Sequence, residues 1–192
     1  MSGWQWLEAA DKKLFSLINF WGAAPFLDLP MRILRNAYTW IPLYVFMLYW
    51  IIRYAKKRAW QFALLSLCSF GCTDWISSSV LKPLIGRMRP CYDETLRMVI
   101  HKLEGCGGVY SMPSSHASNH FGLATFWFCA IYYMSGKRWW WLYIWAGLIC
   151  YAQIYVGKHF PLDVLAGAGL GTLVGYIMAR IFYRWQMVAA RT

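Results

Sequence analysis

The chain has 192 residues, of which 59% are hydrophobic, 19% aromatic and 14% charged, with a formal net charge of +11 at pH 7. Soluble domains average about 45–50% apolar and about 25% charged residues, so a chain wholly surrounded by water is excluded and an integral membrane protein is expected. Nucleic acid is not the expected partner of the positive charge, because its densest stretches lie between apolar segments.

The elements follow in chain order. In the first 22 residues Trp4, Trp6, Leu7, Leu14, Phe15 and Ile18 mix with Glu8, Asp11, Lys12 and Lys13, which predicts an amphipathic helix lying in the membrane interface. A basic stretch, an apolar stretch and a cleavage site do not follow one another there, so no removable signal is expected. Five apolar segments then follow, at 38–54, 60–81, 116–134, 139–156 and 162–185. Each is long enough for a hydrocarbon layer that takes about 20 helical residues to cross. Tyr132, Tyr133 and Trp139 to Trp141 sit at segment ends, as interfacial aromatic belts do. The expected fold is all-α: a polytopic bundle of five transmembrane helices plus the N-terminal interfacial helix. It forms one domain over 1–192, with an N-terminal segment 1–37, a helical core 38–185 and a loop 82–115.

"RYAKKR", "GKR" and the tail with Arg180, Arg184 and Arg191 contain nine of the nineteen basic residues and none of the eight acids. With five spans these stretches share one side, which the positive-inside tendency makes cytoplasmic. The loop 82–115 then faces outward. A 34-residue stretch between spans is of the length that usually carries function. Of the six cysteines, Cys68, Cys72, Cys129 and Cys150 fall within spans and suit apolar packing. Cys91 and Cys106 share the outward loop, where an oxidising compartment permits a disulfide.

Alternating span direction brings three polar points to the outer face. They are Lys82 to Pro90, Ser114 to His116, and His159 to Asp163. Lys82, Arg87 and Arg89 form a basic group that suits lipid headgroups or, through guanidinium forks, phosphate oxygens. "PSSH" before an apolar run reads as a helix start with a serine cap, and a helix N-terminus also seats anions. His159 and Asp163 are four apart, on one helical face. Beside a phosphate cradle, one histidine can attack phosphorus and the other protonate the leaving oxygen, while Asp163 fixes the tautomer of His159. His116 and His120 are also four apart, but a catalytic zinc takes three protein ligands and no carboxylate is placed to complete them; no metal is expected. His101 reads as a solvated loop residue. Asp74, inside the second segment, is a candidate for a supporting role, since intramembrane carboxylates are functional candidates by default.

In this order the residues resemble the type 2 phosphatidic acid phosphatase superfamily. Its signature is Lys, six residues, Arg-Pro; then Pro-Ser-Gly-His; then Ser-Arg, five residues, His, three residues, Asp. "KPLIGRMRP" matches the first part in full, "PSSH" has Ser115 for glycine, and "AQIYVGKHFPLD" keeps His159 and Asp163 but has Ala152 and Gln153 for Ser-Arg. The resemblance implies a metal-independent, cofactor-free phosphohydrolase working through a phosphohistidine. Lys82, Arg89, Ser114 and the Ser115 backbone N–H would bind phosphoryl oxygens. His159 would attack, Asp163 would orient it, and His116 would act as acid and then activate water. At Gln153 a neutral amide replaces a cation, and Arg87 or Lys158 is expected to compensate.

These readings imply a lipid phosphate or diphosphate as substrate and the bilayer as surroundings, in an inner-membrane, multi-pass protein whose site faces the periplasm or cell exterior. Undecaprenyl diphosphate is the favoured substrate, with lipid A 1-phosphate and phosphatidylglycerol phosphate close to it. The alternatives are a lipid phosphotransferase using the same phosphohistidine and a catalytically degenerate lipid-binding protein.

Overall fold

The structure is a computed structural model and describes residues 3–189. Its named elements are all helical. Helix α1 (Gly3–Ser16) runs into a π turn (Leu17–Trp21), and α2 (Pro25–Arg35) ends in a 3-10 turn at Ala37–Trp40. The core follows as α3 (Ile41–Tyr54), α4 (Ala59–Trp75), α6 (Ser115–Ser135), α7 (Trp141–Tyr155) and α8 (Pro161–Ala189). After α4 come a π turn (Ile76–Leu81) and the single turn α5 (Lys82–Ile85), which opens the long loop.

Local chemistry sets these ends. Pro42 occupies the first turn of α3, where its missing N–H costs nothing; the helix proper therefore starts three residues after the expected 38. Pro83 lacks the donor that would continue α4 as a regular helix, and the chain widens into the π turn just before it. Gly86 closes α5 at φ +66°, a left-handed conformation that glycine adopts without a Cβ clash. Ser114 caps α6, its Oγ accepting from the Ala117 N–H, and Gly136 ends that helix in the left-handed region.

Ser69, Thr73 and Ser118 are fully buried between helices, whereas Leu67 and Leu165 are 70% and 65% exposed. Small polar residues at helix contacts and large apolar ones outside are what hydrocarbon surroundings favour. Two helical stretches, Lys56–Ile85 and Pro161–Met187, have the length and apolar character to cross a bilayer. The most extensive helix contact is between α6 and α8. Gly171 makes it possible, because a Cβ there would collide with the Ser118 carbonyl and the Gly122 backbone N.

Two apolar cores result. One, around Phe62, Phe126, Trp127, Trp145 and Phe182, fills the bundle. The other, with Phe15, Leu96, Ala117, Ile154, Phe160 and Val164, supports the ends of α7 and α8. Phe15 comes from α1 and packs edge-on against Phe160 with ring centroids 5.3 Å apart. The described part of the N-terminal segment packs against the helical core: α1 contacts α8, and α2 contacts α7.

Candidate active site

The loop 82–115 folds back on itself. The Arg89 N–H donates to the Val109 carbonyl at 3.1 Å and the Ser111 N–H to the Arg87 carbonyl at 2.7 Å. Cys91 and Cys106 are joined as a disulfide, their Cα atoms 6.2 Å apart. Pairing the two ends of the loop delivers Arg87, Arg89 and Ser111 together to the start of α8.

Asp163 is the hub. It is fully buried, and each oxygen is occupied. Oδ1 accepts from Arg87 Nη1 at 2.8 Å. Oδ2 accepts from the Ser111 hydroxyl and from the Phe160 N–H at 2.8 Å, and it lies 3.6 Å from His159 Nδ1. The Asp163 carbonyl accepts from the Ser114 N–H at 2.9 Å, which ties the start of α8 to the start of α6.

His159 is 2% exposed. Its Nε2 lies 3.4 Å from Arg89 Nη1, and Arg89 also donates to the Lys158 carbonyl at 3.2 Å. Burial pushes the imidazole down to about 4, with Arg89 adding to the depression and Asp163 opposing it. The ring is therefore neutral at physiological pH. A carboxylate beside Nδ1 and a guanidinium beside Nε2 favour the tautomer with its proton on Nδ1, leaving the Nε2 lone pair turned toward the cation-lined side. Burial likewise holds the Arg89 guanidinium below its ordinary value.

Lys82 donates to Ser115 Oγ at 2.7 Å, and Ser77 donates to the same oxygen at 2.9 Å. Ser114 is buried and serves as the α6 cap. His116, one residue after Ser115, lies within electrostatic reach of His159 and Lys82. His120 points one ring nitrogen at the His116 carbonyl, 2.7 Å away. Asp74 accepts from Asn119 Nδ2 at 3.0 Å, and Asn119 in turn accepts from Thr73, so the carboxylate ties α4 to α6. Among the described residues no three His, Cys, Asp or Glu side chains gather as a metal site would require.

The structure brings Lys82, Arg89, Ser114, Ser115, His116, His159 and Asp163 to one face. It treats the two expected substitutes for the missing arginine differently. Arg87 is engaged by two carboxylates, Asp163 and, at 2.5 Å, Asp11, with its guanidinium 4.4 Å from the Phe160 ring centre. Lys158 donates to the Gly105 carbonyl on the loop 82–115; burial, then Arg35 and Arg89, hold it down to about 8. Gln153 is 1% exposed, and its Nε2 has no partner among the described residues. His101, read as solvated, is half-buried: its Nε2 lies 2.9 Å from Asp28 Oδ1 and its backbone exchanges hydrogen bonds with Asn19. Four positions escaped the sequence reading: Asp11, Asn19, Arg35 and Ser111. Asp11 resembled any acid on the polar face of an amphipathic helix, and none of the others sits in a recognisable spacing.

A helical bundle presenting a neutral, carboxylate-backed imidazole beside lysine and arginine defines a phosphate-handling membrane protein. The chain belongs to the PAP2 superfamily, whose family model matches residues 59–187. It is 33% identical over 169 residues to a lipid A 4'-phosphatase of Bacteroides thetaiotaomicron, covering 84% of this chain and 72% of that one. It is 28% identical over 173 residues to an undecaprenyl-diphosphatase of Sulfolobus acidocaldarius, covering 88% and 77%. The fold matches the crystal structure of the transmembrane PAP2-type phosphatidylglycerolphosphate phosphatase from Bacillus subtilis with a TM-score of 0.72, at 23% identity over 91% of this chain and 85% of that one. The protein is a membrane lipid phosphate or diphosphate hydrolase.

Proposed function

We propose that the protein removes a phosphate from an envelope lipid at the outer face of the inner membrane, through a phosphohistidine at His159. The observation that carries this reading is the His159 environment: a buried neutral imidazole between the Asp163 carboxylate and the Arg89 guanidinium. His159 Nε2 forms a bond to phosphorus while the bond from phosphorus to the lipid oxygen breaks. His116 donates its proton to that oxygen. Asp163 holds the Nδ1 proton as positive charge develops on the ring. Water then gives its proton to His116, attacks phosphorus and breaks the N–P bond, releasing inorganic phosphate. Lys82 and Arg89 carry the phosphoryl charge, and no step requires a metal.

Lipid A 4'-phosphate is the first substrate candidate, because a relative of that activity is 33% identical over 84% of the chain. Undecaprenyl diphosphate, favoured by the small single bundle, is the second, supported by the relative at 28% identity. Lipid A 1-phosphate and phosphatidylglycerol phosphate complete the panel. Purified protein in detergent and chelator is expected to release phosphate from at least one of these lipids, and His159→Ala is expected to abolish it. Release that survives His159→Ala sinks the nucleophile assignment. Silence on the whole panel favours the lipid-binding alternative, and label transfer to a second lipid favours phosphotransfer.

A further inference from the structure

Among the buried side-chain atoms without a hydrogen-bond partner in the described residues are four donors: His159 Nδ1, Arg89 Nε, Gln153 Nε2 and Arg35 Nε. Unpaired buried donors are rare because each costs the desolvation of its group. Three of the four belong to sequence positions already tied to phosphate chemistry. Arg35 does not; it stands at the end of α2, over a hundred residues upstream of Gln153.

The Arg35 side chain is 14% exposed and ion-paired with Glu104 on the outward loop. Glu104 adjoins Gly105, whose carbonyl accepts from Lys158, the residue before His159, so Arg35 is held on the cationic side of the attacking histidine. The placement follows from how α2 is docked. Tyr155, near the end of α7, donates its hydroxyl to Asp28 Oδ1 at 2.7 Å and to the Ala24 carbonyl at 3.0 Å. Trp40 Nε1 donates to the Leu34 carbonyl at 2.8 Å, and the Trp40 ring packs edge-on against Trp145 of α7. Both ends of α2 are thereby fixed to the helix that carries Gln153.

We propose that Arg35 is the third phosphate-binding cation of this site, supplying from α2 the charge that Gln153 lacks on α7, with Glu104 as its counter-ion until substrate displaces it. The inference rests on the phosphatase reading above. A carboxylate and a phosphate offer a guanidinium the same pair of oxygens. The Glu104 side chain is 27% exposed, so its pair with Arg35 is the kind that solvent weakens, and a phosphate dianion brings more charge to the same fork.

A purely structural Arg35 would only anchor the loop. The two roles separate in sign. If Arg35 binds phosphate, Arg35→Ala lowers kcat/KM by roughly 10- to 100-fold, the worth of one charge-assisted contact, whereas Glu104→Gln frees the cation and lowers KM. Gln153→Arg placed in the Arg35→Ala background restores at least about tenfold. Inorganic phosphate, used as a product inhibitor, binds more weakly to Arg35→Ala and more tightly to Glu104→Gln. The proposal is overturned if Arg35→Ala leaves kcat/KM and phosphate inhibition unchanged. It is equally overturned if Arg35→Ala and Glu104→Gln both lose activity and thermal stability together with no rescue by Gln153→Arg, the signature of a loop anchor. An inactive wild type instead counts against the phosphatase reading, while binding of inorganic phosphate to the purified protein, with the same signs in the two variants, still decides the role of Arg35.

Discussion

Arg87 and Asp163 are joined at 2.8 Å, and the second nitrogen of the same guanidinium reaches Asp11 at 2.5 Å. One cation thus pairs with two buried carboxylates from opposite ends of the chain, with side-chain exposures of 1% for Asp11 and 0% for Asp163. Arg87 therefore acts as a positioning residue: it fixes the carboxylate that faces His159.

Removing that cation strands two buried charges. Breaking a buried pair by deleting one partner costs about 3–5 kcal/mol, so Arg87→Ala is expected to lower the thermal unfolding midpoint strongly and to reduce kcat more than KM. Arg87→Lys keeps the charge but loses the two-pronged geometry, and an intermediate result is expected. Unchanged unfolding in Arg87→Ala would contradict the coupling.

Asp11 tests the same link from its far end. Besides Arg87, its Oδ1 accepts from the Leu162 N–H at 2.9 Å. Asp11→Ala is expected to slow turnover although the residue lies far from phosphorus in sequence, with substrate affinity close to wild type. Steady-state kinetics would separate the two effects.

Ser111 predicts a smaller change. Its hydroxyl donates to Asp163 Oδ2, the oxygen facing His159. Ser111→Ala removes one hydrogen bond worth about 1 kcal/mol, which corresponds to roughly a fivefold loss in kcat. A full loss of activity would mean that Ser111 does more than hold the carboxylate.

The pH dependence follows from His159. Its folded value, near 4 because of burial, lies below the ordinary histidine value of about 6.5. Between these limits the unfolded chain binds a proton that the folded protein does not. The stability contributed by the neutral ring is complete above about pH 6.5 and is lost as pH falls toward 4, at up to about 1.4 kcal/mol per unit. The acid limb of kcat/KM, which reports the free enzyme, is expected below 6.5 for the same reason. A limb at or above 6.5 that persists across substrates would contradict the depressed value of this histidine.

Gly171 gives a folding prediction independent of catalysis. A Cβ there meets the backbone of α6, which cannot rotate away as a side chain can. Gly171→Leu is expected to cost about 3 kcal/mol by overpacking, the upper end of the usual range, read as loss of a monodisperse species in detergent.

Much of the site was legible because its residues come in short, fixed spacings. Lys82 with Arg89, and His159 with Asp163, each lie close in sequence, although Arg89 falls beyond α5 and His159 just ahead of α8 rather than on it, and alternating helix direction brings the two pairs to one end. The contacts of Arg87 were not legible, since its partners Asp11 and Asp163 are each 76 residues away. Arg35 escaped for the same reason: nothing near it in sequence says that α2 is docked on α7 by Tyr155. The helices themselves were visible as apolar runs, while the π turn at Ile76–Leu81 was not, because periodicity alone does not register one extra residue in a turn.

Helix α8 has a practical consequence for anyone handling this protein. It begins two residues before Asp163 and runs for 29 residues, so at 1.5 Å per residue its far end lies roughly 40 Å from the chemistry. An affinity handle or fluorescent reporter fused beyond that end is mechanically remote from the reacting groups. A bulky fusion ahead of α1 instead loads a helix whose Asp11 holds both Arg87 and the first turn of α8. Immobilisation through the C-terminal side is therefore the arrangement that leaves turnover undisturbed.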